Sequence, residues 1–491
     1  MLLLGLDVGT SSVKASLLDV HSGTCVASAQ FPDSEAPIQS LHPGWAEQSP
    51  ESWWDFTCNA IQRVLRQNNT DASQIQAIGI SYQMHGLVCV DKQQQPLRNS
   101  IIWCDSRAVP YGEKAFQAIG KEKCLAHHLN SPGNFTAAKL AWVKENEPTL
   151  YEKIDKIMLP GDFIGMKLTG SITTSPSSLS EGVFWDFEND QLSESVLEAF
   201  GFDASLIPAI QPVFSDHGRV KSAVAKELGL PEGIPVTYKA GDQPNNAFSL
   251  NVLEPGEIAA TAGTSGVVYG VSDQVRFDPA SRVNSFAHVN HSKTQTRIGI
   301  LLCINGTGIL NSWLRTNVLA NASYADINAM AAKVPAGSEG LLLYPFGNGA
   351  ERVLENRSPG AGVKNLQFNQ HTAAHLARAA QEGIVWSMQY GMEIMQQMGL
   401  SSGTIRAGYA NMFLSPIFAQ TFADSTGCPV QLYNTDGSLG AARAAGWGAG
   451  IFTNRQDCFR GMQVLQEVAP DPGKRSLYTA LYENWKNGLS S

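Results

Sequence analysis

Residues 239–270 read KAGDQPNNAFSLNVLEPGEIAATAGTSGVVYG, and this stretch combines two kinds of chemistry. Asp242 lies in a Gly-Asp-Gln-Pro segment that follows the apolar run 234–238, so the pattern predicts a carboxylate in a turn at a strand end. Such a group can accept a proton from a bound hydroxyl. The segment 261–266 is TAGTSG, whose small residues allow backbone N–H groups to approach an anion closely. A carboxylate base and a phosphate-binding turn together indicate phosphoryl transfer to an alcohol. A solvated turn followed by an ordinary hairpin explains the stretch equally well.

A related pattern lies near the N-terminus. Strands are predicted over 2–7 and 13–18, and the turn 9–12 between them reads GTSS. The order strand, Gly-Thr-Ser, strand recurs at 258–271, which suggests two related domains facing each other across a nucleotide. Because Asp7 precedes the first turn, a cation such as Mg²⁺, held through water, would have to separate it from phosphate groups. Alternatively, Asp7 only caps the turn.

Composition excludes several classes of partner. The chain has 491 residues, 43% hydrophobic and 16% charged, with a net charge of −9. This length exceeds one compact core, so two large domains are expected. No basic run and no apolar run of about 18 residues stands out, so neither nucleic acid nor a membrane is expected as a partner. The apolar start is interrupted by Asp7 and is not read as a signal peptide.

The eight cysteines form no C-x-x-C pair. A disulfide framework or zinc site is therefore poorly supported, and buried, reduced thiols of a cytoplasmic protein are expected.

Further polar groups follow other predicted strands. A buried strand over 75–81 ends in QMHG at 83–86, which suits a small polar ligand, although His85 taken alone is more often a structural histidine than a ligand contact. A strand over 100–103 leads to Asp105 and Arg107, which could simply pair with each other. Other predicted strands cover 25–31, 297–303, 340–346 and 404–407, and predicted helices cover 50–67, 137–145, 372–398 and 437–446.

Over nearly its whole length, the chain resembles the FGGY family of carbohydrate kinases. The matching segments are DVGTSS at 7–12, HPGWAEQSPESWW at 42–54, QMHG at 83–86, WCDSR at 103–107, GDQ at 241–243, TAGTSG at 261–266 and GSLGAA at 437–442. QMHG is the most discriminating segment and is typical of members that act on D-xylulose. The adenosine segment differs from the family pattern, because RAGYAN at 406–411 has one glycine where a Gly-Gly pair is usual.

The resemblance implies an α/β fold with two ribonuclease H-like (actin-like ATPase) domains, 1–247 and 248–491, facing across a cleft. It also implies ATP-dependent phosphorylation of D-xylulose to D-xylulose 5-phosphate in the cytoplasm, with Mg²⁺ as cofactor and a homodimer as a candidate assembly.

Each candidate residue has an expected role within this resemblance. Asp242 is the expected general base, and Asp7 the expected organiser of Mg²⁺. Sugar contacts are expected from Gln83, Met84, His85, Asp105 and Gln243. Nucleotide and phosphate contacts are expected from Thr10, Ser11, Ser12, Gly263, Thr264, Ser265, Gly408 and Asn411. Because both aspartates lie at predicted strand ends, spacing alone leaves an exchange of their roles open. Gln243 beside Asp242 can also bind a hydroxyl, which favours Asp242 as the base.

Other functions fit parts of the pattern. A kinase for ribulose, glycerol or another polyol would use the same motifs. A non-catalytic ATP-binding protein of the actin or heat-shock chaperone type would share the paired hairpins but would not need QMHG and GDQ. A sugar-sensing regulator is disfavoured, since no DNA-binding helix-turn-helix or basic segment is predicted ahead of the first hairpin.

Overall fold

Two mixed β-sheets organise the chain in a computed structural model that describes residues 1–350, 352–357, 359–401 and 403–489. The first sheet runs, from edge to edge, through Val236–Gly241, Ile75–Tyr82, Leu2–Val8, Val13–Asp19 and Cys25–Phe31. The first three strands in this order are parallel, and the last three form an antiparallel meander.

The second sheet repeats this arrangement and adds a strand at each edge. Its order is Asn284–Ala287, Ile298–Ile304, Gly266–Ser272, Ile258–Ala262, Ile405–Gly408, Val430–Tyr433 and Val464–Val468. The strand Ile258–Ala262 is antiparallel to Gly266–Ser272 and parallel to Ile405–Gly408. An antiparallel meander followed by parallel strands therefore occurs in both sheets, which confirms the predicted pair of ribonuclease H-like α/β domains.

Both predicted hairpins are present at equivalent places. Asp7 lies opposite Lys14 in the first hairpin, and Ala262 lies opposite Gly266 in the second. In the first sheet, Val8, Tyr82 and Gly241 lie in register at the carboxyl ends of three parallel strands. The chain segments that follow these strands therefore meet at one edge of the sheet.

A helix of the second half packs directly on the first sheet. A Cβ at Gly5 would lie 1.9 Å from the carbonyl oxygen of Ser438, and one at Gly79 would lie 2.0 Å from that of Ala441. These contacts confirm that the small residues of Gly437–Gly448 permit close packing. The helix also brings its N-terminus to Asp7, as described below.

The helices surround the two sheets. Those of ten or more residues include Pro50–Arg66, Val109–Ile119, Thr136–Asn146, Pro160–Thr169, Gly308–Asn317, Ala373–Gln397, Pro416–Thr426, Gly437–Gly448 and Arg475–Asn487. Shorter ones include Lys121–His128, Pro148–Tyr151, Pro176–Glu181, Glu194–Phe200, Ser222–Leu228, Asp242–Ser249, Tyr324–Ala331 and Arg455–Cys458. Small two-stranded sheets pair Glu47–Gln48 with Ser100–Ile101, Val88–Val90 with Lys156–Met158, Thr173–Thr174 with Ala209–Ile210, Trp185–Asp186 with Gln191–Leu192, and Leu342–Phe346 with Gly360–Lys364.

Three local expectations differ from the structure. Asp242 begins the helix Asp242–Ser249 rather than lying in a turn, because the backbone becomes helical directly after Gly241. The strand expected over 100–103 is only Ser100–Ile101. Cys25 and Cys104 are exposed, so the expectation of buried thiols is wrong for these two. Within the described residues, no helix combines the length and apolarity needed to span a membrane.

Candidate active site

The strand ends of the first sheet place Asp242 in the lining of a cavity between the two halves of the chain. Asp242 follows the buried strand Val236–Gly241 and is the first residue of the next helix. Gly241 is needed there because a Cβ would lie 2.6 Å from Cγ of Met84. Met84 therefore packs against the strand end that carries Asp242. The helix N-terminus adds a partial positive charge that favours the carboxylate.

This inner cavity has a volume of about 240 Å³ and receives residues from both halves of the chain. Its lining consists of Thr10, Met84, His85, Trp103, Asn134, Phe135, Asp242, Gln243, Ser265, Val267, Asn284, Leu301, Cys303 and Arg352. The cavity thus brings together Asp242, Gln243, Met84 and His85, as their expected roles require. Apolar walls with a few polar groups are typical of sites for small polar ligands.

His85 presents a neutral ring to the inner cavity. Nδ1 lies 2.9 Å from the backbone oxygen of Glu181, and because a carbonyl only accepts, the hydrogen must be on Nδ1. Burial, with the nearby charge of Lys139, lowers the pKa of His85 to about 3. The ring is therefore neutral at physiological pH, and Nε2 can accept a hydrogen bond.

Asp242 and Asp7 influence each other electrostatically. Burial, followed by the negative charge of Asp7, raises the pKa of Asp242 from 3.8 to about 7. Burial also raises the pKa of Asp7 to about 6, against the opposing effect of the nearby Ser81 hydroxyl. A carboxyl group with a pKa near neutrality is well matched to take a proton from a hydroxyl.

Asp7 lies beneath the N-terminus of the helix Gly437–Gly448. A Cβ at Gly437 would lie 2.3 Å from Oδ2 of Asp7, so only glycine allows this approach. Asp436, which caps the same helix, pairs with Lys14 at 2.6 Å. In the part of the chain that the structure describes, no group of three or more Asp, Glu, His or Cys residues is arranged to hold a metal directly. A carboxylate outside such a ligand group suits Mg²⁺ that retains its water ligands.

Gln83 lies behind the inner cavity rather than on its surface. Its Oε1 accepts a hydrogen bond from the Thr10 hydroxyl at 3.1 Å, and only 2% of its surface is exposed. The same hydroxyl accepts from Nε1 of Trp103 at 3.0 Å, and Gln48 donates to the Thr10 carbonyl at 2.7 Å. In this structure, Gln83 therefore supports the position of Thr10.

Asp105 is fully buried and engaged by its neighbours. It accepts hydrogen bonds from the Arg107 guanidinium at 2.7 Å and from the Ala46 backbone at 2.6 Å. Arg107 also pairs with Glu47 at 2.7 Å. Asp105 therefore pairs with Arg107, which is the second of the two interpretations that the sequence allowed. Trp103 of the same motif lines the inner cavity.

A second, outer cavity of about 640 Å³ lies on the other side of the second hairpin turn. Gly263, Thr264 and Asn411 line it. Ser265 lines the inner cavity, and both Thr264 and Ser265 line a wider cavity of about 780 Å³ that shares further walls with the inner one. The turn 263–265 therefore lies between the two chambers.

Three of the residues expected to contact the nucleotide lie outside the linings of the inner and outer cavities, and their roles stay predictions. Gly408 ends the strand Ile405–Gly408, where a Cβ would lie 3.3 Å from the carbonyl oxygen of Thr435. Ser12 closes the first turn by accepting a hydrogen bond from Gly9 at 3.0 Å, and Ser11 is exposed. None of the three is among the residues that line the inner or outer cavity.

The family of the chain follows from comparison with known proteins. Residues 2–249 match the model of the N-terminal domain of the FGGY family of carbohydrate kinases, and residues 258–449 match the C-terminal domain. The chain belongs to this family. It is therefore a carbohydrate kinase, and the phosphoryl donor is ATP, as expected. The domain boundary predicted between 247 and 248 lies inside a helix and stays a prediction.

Relatives match along nearly the entire chain. The xylulose kinase of Bacillus subtilis (strain 168) is 28% identical over 99% of this chain and 96% of its own length. That of Staphylococcus epidermidis (strain ATCC 12228 / FDA PCI 1200) is 30% identical over 98% of this chain and 94% of its own. Among solved structures, a ligand-bound xylulose kinase from Lactobacillus acidophilus shares the fold with a TM-score of 0.90 at 22% identity, covering 100% and 98% of the two chains.

Several site residues of this FGGY member were not predicted from its motifs. Asn134, Phe135, Asn284 and Arg352 line the inner cavity. Arg352 spans the two halves, since its guanidinium lies 4.7 Å from the Phe135 ring centroid and donates to Ser131 at 2.9 Å. These residues come from segments without a recognisable motif, so only folding brings them together.

Proposed function

We propose that the chain transfers the γ-phosphoryl group of ATP to the terminal hydroxyl of D-xylulose, giving D-xylulose 5-phosphate. One observation carries the proposal: the inner cavity presents two hydrogen-bond acceptors, the Asp242 carboxyl and the neutral His85 ring, in one small chamber. Acceptors of this kind suit a ligand rich in hydroxyl groups. The full-length matches to xylulose kinases support the choice of sugar.

In the proposed reaction, Asp242 takes the proton of the sugar hydroxyl as its oxygen bonds to the γ-phosphorus. The bond between that phosphorus and the bridging oxygen of ATP breaks, and ADP leaves with the electron pair. Thr264 and Ser265 lie between the two cavities, which supports a role in holding the phosphoryl group during transfer. Phosphoryl transfer depends mainly on positioning and charge stabilisation, which hydroxyls, amides and a cation can provide.

Asp7 is proposed to hold Mg²⁺ through water. The crowding of Asp7 with Asp242 and Asp436, which contributes to the raised pKa values, supports a cation at this place. When bound, Mg²⁺ would neutralise phosphate charge.

A coupled ADP-release assay tests the sugar assignment, with D-xylulose, D-ribulose, L-xylulose and glycerol as acceptors. We expect the highest kcat/KM with D-xylulose, and Asp242→Asn serves as the control for contaminating kinases. A higher kcat/KM for glycerol or D-ribulose would transfer the proposal to that substrate. ATP binding without turnover of any acceptor would contradict catalysis altogether.

We also propose a cytoplasmic location, which the buried free thiols of Cys58, Cys89, Cys124 and Cys458 support, because reducing compartments keep cysteines out of disulfides. The homodimer stays a prediction, and light scattering of the purified protein would test it.

A further inference from the structure

The backbone at His85 has an unusual conformation that two buried side chains hold in place. Its φ angle is 61°, in the left-handed region that residues with a Cβ adopt rarely. The backbone N–H of His85 donates to Oε2 of Glu181 at 3.1 Å, and its carbonyl accepts from Nζ of Lys139 at 2.7 Å. Both peptide groups that flank His85 are thus fixed by side chains from outside the QMHG segment.

The same neighbours fix the ring. The backbone oxygen of Glu181 accepts from Nδ1, and the imidazole packs against Phe135 and Phe286, with centroid distances of 4.7 and 5.5 Å. No residue in the described part of the chain forms a hydrogen bond with Nε2. Because 15% of the side chain is exposed and it lines the inner cavity, Nε2 is available to a ligand there.

Glu181 and Lys139 are costly residues to bury at these positions. Glu181 is 2% exposed and Lys139 is fully buried, and the two do not pair with each other. The other carboxyl oxygen of Glu181 accepts from the Tyr82 hydroxyl at 2.7 Å. Burial raises the pKa of Glu181 well above its ordinary value and lowers that of Lys139 to about 7. Burial of an ionisable group outside an ion pair lowers the stability of a fold unless hydrogen bonds compensate, so a function other than stability is expected for these two residues.

Glu181 also lies next to the catalytic strand end. A Cβ at Gly241, the residue before Asp242, would lie 3.3 Å from Oε1 of Glu181. The carboxyl group of Glu181 therefore binds the backbone of His85 and also lies close to Gly241, the residue before Asp242.

We propose that Glu181 and Lys139 are positioning residues for the sugar, which hold His85 so that Nε2 accepts a hydrogen bond from one sugar hydroxyl. The inference rests on the proposed function, because it takes the ligand of the inner cavity to be a sugar. It adds a selection rule: a sugar with a hydroxyl at this position binds, whereas an analogue with fluorine there, which cannot donate, binds poorly.

A double-mutant cycle tests whether Glu181 acts through His85. We expect Glu181→Gln to raise both KM and the calorimetric Kd for D-xylulose on the order of tenfold, since one buried hydrogen-bond partner is replaced by a mismatched donor. The KM for ATP should stay unchanged. In the His85→Ala background, the same change should alter the sugar KM by less than about twofold, because coupled residues are not additive.

Lys139→Met provides a second route to the same cycle if Glu181→Gln does not fold. Glu382→Gln is the control for loss of a buried carboxylate elsewhere, because Glu382 is fully buried, accepts from the Gly337 backbone and the Ser338 hydroxyl, each at 2.9 Å, and pairs with Arg378 at 2.7 Å. We expect this control to lower Tm without changing the sugar KM.

An unchanged sugar KM in Glu181→Gln, or an effect of equal size with and without His85, would overturn the inference. If only Lys139→Met folds, either of these two results in that variant would overturn the inference. Failure of the wild-type protein to phosphorylate D-xylulose would instead count against the proposed function, and the cycle would then use the best acceptor of the panel.

Discussion

Replacement of Asp242 by asparagine should abolish sugar phosphorylation while making the folded protein more stable at high pH. Asparagine keeps the shape of the side chain but can neither take a proton nor carry the charge that Asp7 repels. Loss of a general base costs roughly 10²–10⁴-fold in kcat, or about 3–5 kcal/mol in the activation free energy. Nucleotide binding should be nearly unaffected, since Asp242 lies in the inner cavity and not among the residues of the outer one.

The stability effect follows from the pKa of Asp242, which rises from 3.8 to about 7 on folding. The folded protein then binds more protons than the unfolded chain between these values, so this group lowers stability progressively as pH rises through the window. Above pH 7 the whole penalty is present, and it is at most about 4 kcal/mol at about 1.4 kcal/mol per pKa unit. Asparagine carries no such penalty, and the gain over wild type should grow by about 2–3 kcal/mol between pH 5 and pH 8.

Thermal unfolding with EDTA at pH 5 and pH 8 measures this difference, and the coupled assay measures kcat at saturating sugar. Asp162→Asn is the control of opposite sign, because Asp162 pairs with buried Lys239 at 2.6 Å and its loss should lower Tm at both pH values. Retention of more than about a tenth of wild-type kcat would refute the role of Asp242 as base. A gain in Tm of equal size at both pH values would refute the electrostatic explanation.

Three further predictions concern neighbouring parts of the site. Asp7→Ala should lose activity at low Mg²⁺ and recover part of it as Mg²⁺ rises, by mass action, whereas recovery in an alanine variant of Asp242 instead would show that the two roles are exchanged. Gly437→Ala should lower kcat/KM, measured in the coupled assay, because its Cβ would lie 2.3 Å from the Asp7 carboxylate and displace it; an unchanged value would contradict this. Thr264→Ala should raise the KM for ATP more than that for sugar, because Thr264 lines the outer cavity, and the reverse order would argue against the assignment of that cavity to the nucleotide.

The features that sequence could predict here are those set by local patterns. Strand, small-residue turn and strand recur in two places, and both hairpins form as expected, with their turns at the edge where the parallel strands end. Asp242 directly follows the strand Val236–Gly241, and His85 comes shortly after the strand Ile75–Tyr82, so their approach could be inferred from the neighbouring ends of these two strands. The fold class could be predicted from the sequence because this strand–turn–strand pattern occurs in both halves of the chain.

Contacts between distant segments could not be predicted. Gln83 and Asp105 belong to motifs that suggested sugar binding, yet the side chains of both form hydrogen bonds with protein neighbours behind the cavity wall. Polarity in a motif therefore does not tell whether a side chain faces a ligand or a protein partner. Conversely, Glu181 and Lys139 lie in helices without any catalytic pattern, and only tertiary packing brings them to His85.

The surroundings of the two aspartates favour one assignment of their roles over the exchange that spacing leaves open. Asp242 shares the inner cavity with His85, so a hydroxyl bound there would lie within reach of it. Asp7 instead lies beneath Gly437, with Asp436 and Lys14 close to it and the turn of the first hairpin beside it. A carboxylate at a phosphate-holding turn suits a cation, whereas one that faces the acceptor suits a proton. The charge of Asp7 also helps to raise the pKa of Asp242 towards neutrality, where a general base is most effective.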